Sequence, residues 1–385
     1  MNYLQLMPTI IVKYLLKSFY GLFCILLKVD PYKVTLASYR SNTLKDNLLY
    51  VHEEIKVKYP EFKRYTLLNK LESSLLGKLK YIFHMIKSCY YLATSRYFII
   101  DDYYFPLYVI KPRKGMEIIQ LWHSAGAFKK FGLSTVGASF GPSEKYLKHV
   151  NIHGNYSKVY VSSNEIIPFF AEAFNMEKSN IYPLGIPRMD YFFDKEVTKK
   201  LRSDFETSHP GLIGKKLLLY APTFRGRSHY QAEFELPFDI RYMEEHLSDE
   251  YALLIHLHPY MQSNIAINKN SFVFHIKETY TIQDLLMLSD ILITDYSSVF
   301  FEFSLLERPM IFFPYDLEEY KQERNFYYSY EDLIPGPLAM DTVTLVRLIQ
   351  KEHFNIELIK CFRDRFIENQ DGHATERIVN HIFKR

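Results

Sequence analysis

The sequence predicts an α/β fold of two doubly wound, Rossmann-like domains that face a cleft, with an N-terminal amphipathic helix. A chain of 385 residues is too long for one ordinary core, which indicates two domains. Short apolar runs alternate with helical stretches, and strands of buried parallel sheets have this uninterrupted apolar character. The predicted strands lie at 34–37, 97–100, 118–122, 159–162, 217–220, 252–257, 291–294 and 310–313.

The predicted domain organisation has four parts. Residues 1–30 form the amphipathic helix, 31–200 the first domain and 201–360 the second, and 361–385 form a C-terminal helix that can pack back on the first domain. The charged segment 194–214, which carries His209-Pro210-Gly211 near its end, is the best candidate for the linker.

Composition excludes several classes of protein. Apolar residues make up 48% of the chain and charged residues 24%, which is typical of a globular protein. A net charge of only +3 does not indicate a nucleic-acid binder. Cys24, Cys89 and Cys361 lie far apart without metal-binding spacing, so we expect reduced thiols in a cytosolic protein.

The first thirty residues have the pattern of a helix that lies on a membrane surface. Lys13, Lys17 and Lys28 fall on one narrow stripe, and apolar residues occupy the rest of the circumference. The alternative is a helix that packs on the first domain. We expect no secretory signal, and no spanning helix because the lysines interrupt each apolar run. A second basic amphipathic stretch, 70–87, either lines the same face or is simply solvated.

Residues that follow strands matter most, because open parallel sheets bind ligands beyond the carboxyl ends of their strands. His123 ends a predicted strand, and a histidine there suits a general base for a hydroxyl nucleophile. The alternative is a core histidine with satisfied hydrogen bonds. The residues after it include small ones that let a ligand approach and two lysines, namely Ser124, Gly126, Lys129 and Lys130.

Two further strand ends carry groups suited to a diphosphate. Arg225 follows Thr223 after the strand at 217–220, and a guanidinium can donate paired hydrogen bonds to phosphate oxygens. His258 and Pro259 follow the run at 252–257. His256 precedes them on the same strand, but two histidines without a third ligand are weak evidence for a metal.

The fourth strand end is the strongest candidate for phosphate binding. Thr294, Asp295, Ser297 and Ser298 follow the run at 291–294 and open a helix that continues through Glu302. Free backbone N–H groups and the positive end of the helix dipole favour an anion there, and hydroxyls add donors. The alternative is an ordinary helix cap, and both roles can hold together.

Two other constellations are interpreted as structural. Asp101 and Asp102 resemble an acidic pair that holds a metal–nucleotide complex, but the intervening residue of that motif is absent. His149 and His153 lie four residues apart like a zinc pair, but the glutamate that follows the first histidine of that motif is absent.

These strand ends, in this order, resemble the CDP-glycerol glycerophosphotransferase family. The matching segments are Trp122-His123 with Gly126 and Lys129-Lys130, Gly185-Ile186-Pro187-Arg188 with Asp190, Tyr220-Ala221-Pro222-Thr223-Phe224-Arg225, His258-Pro259, Thr294-Asp295-Tyr296-Ser297-Ser298 through Phe301-Glu302, and Pro314-Tyr315-Asp316-Leu317-Glu318. The chain's short length and lipophilic start are most similar to the family's glycerol phosphate primases.

The resemblance implies a fold of the glycosyltransferase B type in which the first domain takes the acceptor and the second binds a CDP-alcohol. It implies no cofactor and no metal, and it implies that His123 and His258 are catalytic. The expected donor-binding residues are Thr223, Arg225, Pro259, Thr294, Asp295, Ser297, Ser298 and Glu302, and the expected acceptor-side residues are Ser124, Gly126, Lys129 and Lys130.

The expected reaction is transfer of glycerol phosphate from CDP-glycerol to an undecaprenyl-diphosphate-linked ManNAc-GlcNAc acceptor, with release of CMP, as the priming step of wall teichoic acid synthesis. We expect a peripheral protein at the cytoplasmic face of the cell membrane, with a homo-oligomer left open. The alternatives are a CDP-ribitol or polymer-extending transferase, a nucleotide-sugar glycosyltransferase of the same fold, and a non-enzymatic membrane scaffold.

Overall fold

The structure, a computed structural model, describes residues 3–70, 74–138, 140–223, 235–257, 272–276 and 280–384. The chain divides into two units. Unit 1 comprises residues 1–190 and 373–385, and unit 2 comprises residues 191–372. The chain therefore passes between units near residue 190, ten residues before the predicted domain boundary, and again near residue 372.

Each unit contains a parallel sheet, as the apolar runs predict. The strands are β1 Asp30–Ser38, β2 Lys63–Leu68, β3 Ser95–Ile100, β4 Glu117–Gln120, β5 Lys158–Tyr160, β6 Ile181–Tyr182, β7 Lys216–Tyr220, β8 Tyr251–Ile255, β9 Val273–His275, β10 Ile291–Thr294 and β11 Met310–Phe312. Among the described residues, the strand order is β2-β1-β3-β4-β5-β6 in unit 1 and β11-β10-β7-β8-β9 in unit 2. All eight predicted strands are confirmed, whereas β2, β6 and β9 were not predicted.

Helices alternate with these strands. They are α1 Tyr3–Leu26, α2 Asp46–Lys58, α3 Leu75–Thr94, α4 Phe105–Val109, α5 Glu144–Leu147, α6 Ile167–Phe174, α7 Lys195–Ser208, α8 Ile240–Leu247, α9 Ile282–Leu288, α10 Val299–Phe303, α11 Leu317–Glu323, α12 Tyr330–Leu333, α13 Thr342–Lys351, α14 Ile356–Phe366 and α15 Ala374–Phe383.

The C-terminal segment completes the core of unit 1. Ile378 and Phe383 of α15 pack with Val34 of β1 in one buried cluster. The Asp190 carboxylate accepts the backbone N–H groups of Ala374 and Thr375 at 2.9 and 2.8 Å, which satisfies free donors at the start of α15. The prediction of one helix over 361–385 is wrong, because α14 ends in unit 2 and α15 lies in unit 1.

The predicted linker at 194–214 is part of unit 2 and is largely helical. Asp194 caps α7 by accepting the N–H groups of Glu196 and Val197, each at 3.0 Å. Phe205 of α7 is buried, and the Arg202 guanidinium donates to the Leu288 carbonyl of α9 at 3.3 Å. The charged residues that suggested a linker lie on the exposed face of an amphipathic helix.

Helix α1 packs on unit 1 by one face. Leu16 is fully buried and its carbonyl accepts the Cys89 thiol of α3 at 3.5 Å, while the Tyr20 hydroxyl accepts the Arg113 backbone N–H at 3.0 Å. The expectation that lysines leave no apolar run of spanning length is wrong. The segment Gln5–Leu26, 22 residues with a mean hydropathy of 1.6, is long and apolar enough to cross a membrane, by length and composition only.

Candidate functional site

The carboxyl edge of the unit 1 sheet holds His123 beside two charged residues. Asp102 follows β3, and one of its carboxylate oxygens lies 3.0 Å from an Arg40 guanidinium nitrogen and 3.4 Å from His123 Nδ1. Arg40 follows β1 and His123 follows β4, so three strands that neighbour one another supply the cluster. The sequence predicts a structural role for Asp102, because the Asp101-Asp102 pair lacks the intervening residue of a metal-binding motif. The structure instead places it at the candidate base.

The backbone adopts a strained conformation at Trp122, just before His123. Trp122 has a φ of 56°, in the left-handed region that a bulky residue rarely adopts. Its carbonyl accepts the Asn47 side-chain amide at 2.7 Å, and its N–H donates to the Gln120 side chain at 2.8 Å. Its indole also stacks on the Phe131 ring, with centroids 5.2 Å apart. Because hydrogen bonds and packing both hold Trp122, the direction in which His123 leaves the strand is fixed.

The environment of His123 keeps its imidazole neutral at neutral pH. Burial lowers the pKa of His123, the Asp102 carboxylate raises it, and Arg40 and Arg188 lower it. The side chain nevertheless keeps 35% of its surface open to solvent. With Nδ1 next to the Asp102 carboxylate, Nε2 is the nitrogen left to take a proton from a reacting hydroxyl.

A second buried carboxyl lies beside this pair. Asp101 is 7% exposed, and burial together with the charge of Asp102 raises its pKa to about 7. Its Oδ1 has no hydrogen-bond partner among the residues that the structure describes. Asp101 therefore keeps its proton to a higher pH than an ordinary aspartate does.

The expected acceptor-side residues lie in the loop that follows His123. The Ser124 hydroxyl donates to the Gly126 carbonyl at 2.8 Å, so it closes a tight turn. Gly126 is buried, and Lys129 and Lys130 are half-buried. The roles of these four residues toward an acceptor stay predictions.

In unit 2 the segment after β10 divides into buried and open residues. The Thr294 hydroxyl is fully buried and donates to the Ala221 carbonyl at 2.7 Å, so here it joins the ends of β10 and β7, and its role toward a phosphate stays a prediction. The Asp295 carboxylate is also fully buried and accepts the Thr223 N–H at 2.7 Å. Glu302 accepts the Gln283 amide at 3.2 Å. These side chains hold neighbouring segments in place.

Ser297 and Ser298 have the position that suits a ligand. Both are half-buried at the start of α10, and the Ser298 side chain makes no capping hydrogen bond. The neighbouring Tyr296 holds this segment in place. Its ring stacks on the Tyr320 ring, with centroids 3.8 Å apart, and its hydroxyl donates to the Asp316 carboxylate at 3.0 Å. The structure therefore holds two serine hydroxyls on a rigid turn.

Three expected residues, Arg225, His258 and Pro259, lie outside the described residues, so their roles stay predictions. His153 of the discounted histidine pair is buried among aromatic rings, with Nδ1 3.0 Å from the Tyr156 hydroxyl. No cluster of three metal-ligating side chains occurs among the residues described here.

Comparison with solved structures shows the fold. The wall teichoic acid polymerase TagF superposes with a TM-score of 0.76 over 99% of this chain and 96% of that chain, at 22% identity. The chain thus has an α/β fold with parallel sheets similar to that of TagF.

Comparison with curated relatives is more specific. The chain is 45% identical to the teichoic acid ribitol-phosphate primase of Bacillus spizizenii strain W23, over 97% of this chain and 96% of that protein. It is 39% identical to the poly(ribitol-phosphate) polymerase of the same strain, but spans only 57% of that protein's length. It is 35% identical to the teichoic acid glycerol-phosphate primase of Bacillus subtilis strain 168, over 78% of this chain and 76% of that protein.

The family resemblance drawn from the strand ends is confirmed by these relatives and by a match of residues 18–384 to a family description. The match covers both units, including the edge that carries His123 and the turn that carries Ser297. The chain belongs to the CDP-glycerol:poly(glycerophosphate) glycerophosphotransferase family, and, like the relatives compared above, it is a transferase of teichoic acid and cell wall synthesis.

Proposed function

We propose that the protein transfers ribitol phosphate from CDP-ribitol to a lipid-linked acceptor in wall teichoic acid synthesis, releasing CMP. The observation that carries this choice is the 45% identity to a ribitol-phosphate primase across nearly the whole of both chains. The expectation of CDP-glycerol has weaker support, because the glycerol-phosphate primase is 35% identical over a shorter match.

Priming is favoured over polymer extension by the extent of the matches. The primase is covered to 96% of its length, whereas the polymerase of the same strain is covered to 57%. The match to the ribitol-phosphate primase covers 97% of this chain and 96% of that protein. We therefore propose a single addition per acceptor.

The proposed chemical step uses His123 as general base. Nε2 takes the proton of an acceptor hydroxyl while that oxygen attacks the phosphorus that bears ribitol. The bond from this phosphorus to the bridging oxygen breaks, and CMP leaves with the electron pair. Asp102 stabilises the imidazolium that forms, since it lies 3.4 Å from Nδ1.

The charge that develops on the phosphate oxygens needs hydrogen-bond donors. We assign the Ser297 and Ser298 hydroxyls to this role, because they are partly open and sit on a turn fixed by Tyr296. Arg225 and His258 are proposed from the sequence to add to them. We propose that no divalent metal is required, so full activity in EDTA is expected and strict metal dependence would contradict the proposal.

Donor choice is tested by the rate of CMP release. Purified protein is given CDP-ribitol or CDP-glycerol, each with the lipid-linked disaccharide acceptor, with and without one glycerol phosphate already attached. We expect kcat/KM for CDP-ribitol to exceed that for CDP-glycerol by about tenfold or more, since one missing hydroxyl contact costs at least that. A preference for CDP-glycerol would overturn the ribitol assignment but leave the family mechanism intact.

We also propose that the protein associates peripherally with the cytoplasmic face of the membrane. The support is an apolar face of α1 that remains open, with Ile11, Leu22 and Ile25 at 61, 49 and 83% exposure and Lys17 and Lys28 nearby. Because α1 packs on α3 by its other face, removing it would also damage unit 1, so point variants are the better test.

Ile25→Glu is the informative variant, and Val57→Glu is its control. Val57 lies on α2 and is 74% exposed, so the two changes place equal charge at comparably open apolar positions. Flotation with anionic vesicles should fall for Ile25→Glu and stay unchanged for Val57→Glu. Equal binding of both variants and the wild type would show that α1 does not contact the membrane.

A further inference from the structure

A pocket of about 320 Å³ opens on unit 1 between β2 and α3. Lys80 and Lys87 of α3 line it, together with Thr66 and Asn69 at the end of β2. The sequence from 74 to 100 contains no aspartate or glutamate, and no carboxylate lines the pocket among the described residues. Two ammonium groups, a hydroxyl and an amide in one place form a site for an anion with several oxygens.

The floor of the pocket is rigid and uncharged. His84 lies there at 9% exposure, with Nε2 3.1 Å from the Tyr104 hydroxyl, which in turn lies 2.6 Å from the Ser88 hydroxyl. Burial lowers the pKa of His84 to about 4. The positive charge of the pocket therefore comes from the two lysines.

The rim of the pocket is apolar on the α3 side. Phe83 is 72% exposed, and Leu79 and Leu76 on the same helix are 47 and 71% exposed. Large apolar side chains so open to solvent are unusual on a soluble surface and mark a contact site. An anion pocket with an apolar rim matches a phosphate that is attached to a hydrocarbon chain.

The pocket and His123 lie at the same edge of one sheet. The Asn69 backbone N–H donates to the Ser38 carbonyl at 3.1 Å, which ties the end of β2 to the end of β1. The order β2-β1-β3-β4 then separates the pocket from His123 by three strand spacings, about 14 Å at the usual distance between neighbouring strands. This separation is on the scale of a disaccharide with its diphosphate.

We propose that this pocket binds the diphosphate of a polyisoprenyl-diphosphate-linked acceptor. Lys80, Lys87 and Asn69 contact the diphosphate oxygens, Phe83 and Leu79 contact the hydrocarbon chain, and the sugars extend along the sheet edge toward His123. The proposal rests on the proposed function and adds the subsite that selects a diphosphate-linked acceptor.

The kinetic test uses the double variant Lys80→Gln/Lys87→Gln. Its control is Lys78→Gln, an exposed lysine of α3 that does not line the pocket. We expect the double variant to raise KM for the diphosphate-linked acceptor by about tenfold or more, because it loses two charge-assisted contacts. Its KM for an alkyl glycoside of the same disaccharide without phosphate, and its donor KM, should not change. An unchanged KM for the diphosphate-linked acceptor would overturn the pocket's role.

A binding test separates this proposal from the proposed function. Titration calorimetry measures farnesyl diphosphate, farnesol and inorganic pyrophosphate against the full chain in detergent. We expect farnesyl diphosphate to bind most tightly and to be weakened in the double variant, whether or not the protein transfers ribitol phosphate. Binding of the double variant to phosphatidylglycerol vesicles should be weakened less than its binding to farnesyl diphosphate. If both are weakened equally, the pocket is a general anionic-lipid surface and the diphosphate assignment is overturned. Equal binding of farnesol and farnesyl diphosphate would also overturn it.

Discussion

The two units present different chemistry at the ends of their sheets. The edge of unit 1 gathers titratable groups, with Asp102 between Arg40 and His123 and with Asp101 buried behind them. The described turn of unit 2 offers the neutral hydroxyls of Ser297 and Ser298, while its acids serve as acceptors for the protein's own N–H groups. This difference supports the proposed division of roles, in which unit 1 moves a proton and the turn of unit 2 holds an anion.

Replacing the base should have the largest effect on rate. His123→Ala is expected to lower kcat by roughly 10²–10⁴, the usual contribution of a general base. The KM and Kd for the CDP-linked donor should stay near those of the wild type, since the donor contacts are assigned to unit 2. Single-turnover CMP release and donor titration make the comparison. Near-normal kcat would show that the base lies elsewhere.

Asp102 and Arg40 should act on the base in opposite directions. Asp102 raises the pKa of His123 and Arg40 lowers it. A base must be neutral to act, so Asp102→Asn should move the acid limb of the kcat/KM profile to lower pH, and Arg40→Gln should move it to higher pH. Asp102→Asn should also lower kcat by roughly tenfold or more, because the imidazolium loses its partner.

A purely structural role for Asp102 predicts a different result. Both variants would then lose activity by a constant factor at every pH, with the acid limb unmoved. Circular dichroism of each variant checks that unit 1 is folded before the profiles are compared.

The serines of unit 2 should affect donor binding more than the pH profile. Ser297→Ala and Ser298→Ala are each expected to raise donor KM about three- to tenfold, the range for one neutral hydrogen bond. Thr294→Val is the contrasting change: its hydroxyl donates to Ala221, so it should lower stability with little change in donor KM per folded molecule. Donor KM unchanged in both serine variants would contradict their assignment.

Replacing Asp101 should change the stability of the fold and leave donor binding unchanged. Its pKa is raised from 3.8 to about 7 in the fold, so between these values the unfolded chain ionises while the folded chain keeps the proton. Stability from this group is therefore full at low pH and is lost as pH rises toward 7. Asp101→Asn, which does not ionise, should melt higher than the wild type at pH 7.5, by about 2–4 °C for each kcal/mol gained.

The pH dependence distinguishes this account from a general packing gain. The difference in melting temperature between Asp101→Asn and the wild type should shrink as pH falls to 4.5. A difference that is constant over this range would contradict the raised pKa of Asp101.

Buried elements could be predicted from the sequence, whereas elements set by tertiary contacts could not. The run at 291–294 matches β10 because parallel strands buried on both faces are continuously apolar. β2 could not be predicted in this way because only one of its six residues is buried, so it lacks a continuous apolar run. The segment 194–214 suggested a linker because it is charged and carries His-Pro-Gly near its end, whereas the burial of Phe205 against unit 2 depends on tertiary contacts.

The candidate site shows the same limit. His123 could be predicted because a histidine at a strand end is visible in one short segment. Asp102 and Arg40 could not be linked to it, because β1, β3 and β4 become neighbours only in the folded sheet. The left-handed backbone of Trp122 has no sequence signal either, since an aromatic residue does not favour it.

The mass of the product reports both the group that is transferred and the dependence of the transfer on His123. Wild-type protein and His123→Ala are incubated with equal concentrations of CDP-ribitol, CDP-glycerol and UDP-linked sugars together with the lipid-linked acceptor, and the acceptor is analysed by mass spectrometry. With the wild type we expect an acceptor heavier by one ribitol phosphate and an equal amount of CMP, and with His123→Ala we expect almost none of either. An acceptor that gains glycerol phosphate or a sugar, or one that His123→Ala modifies as fast as the wild type, would contradict this expectation.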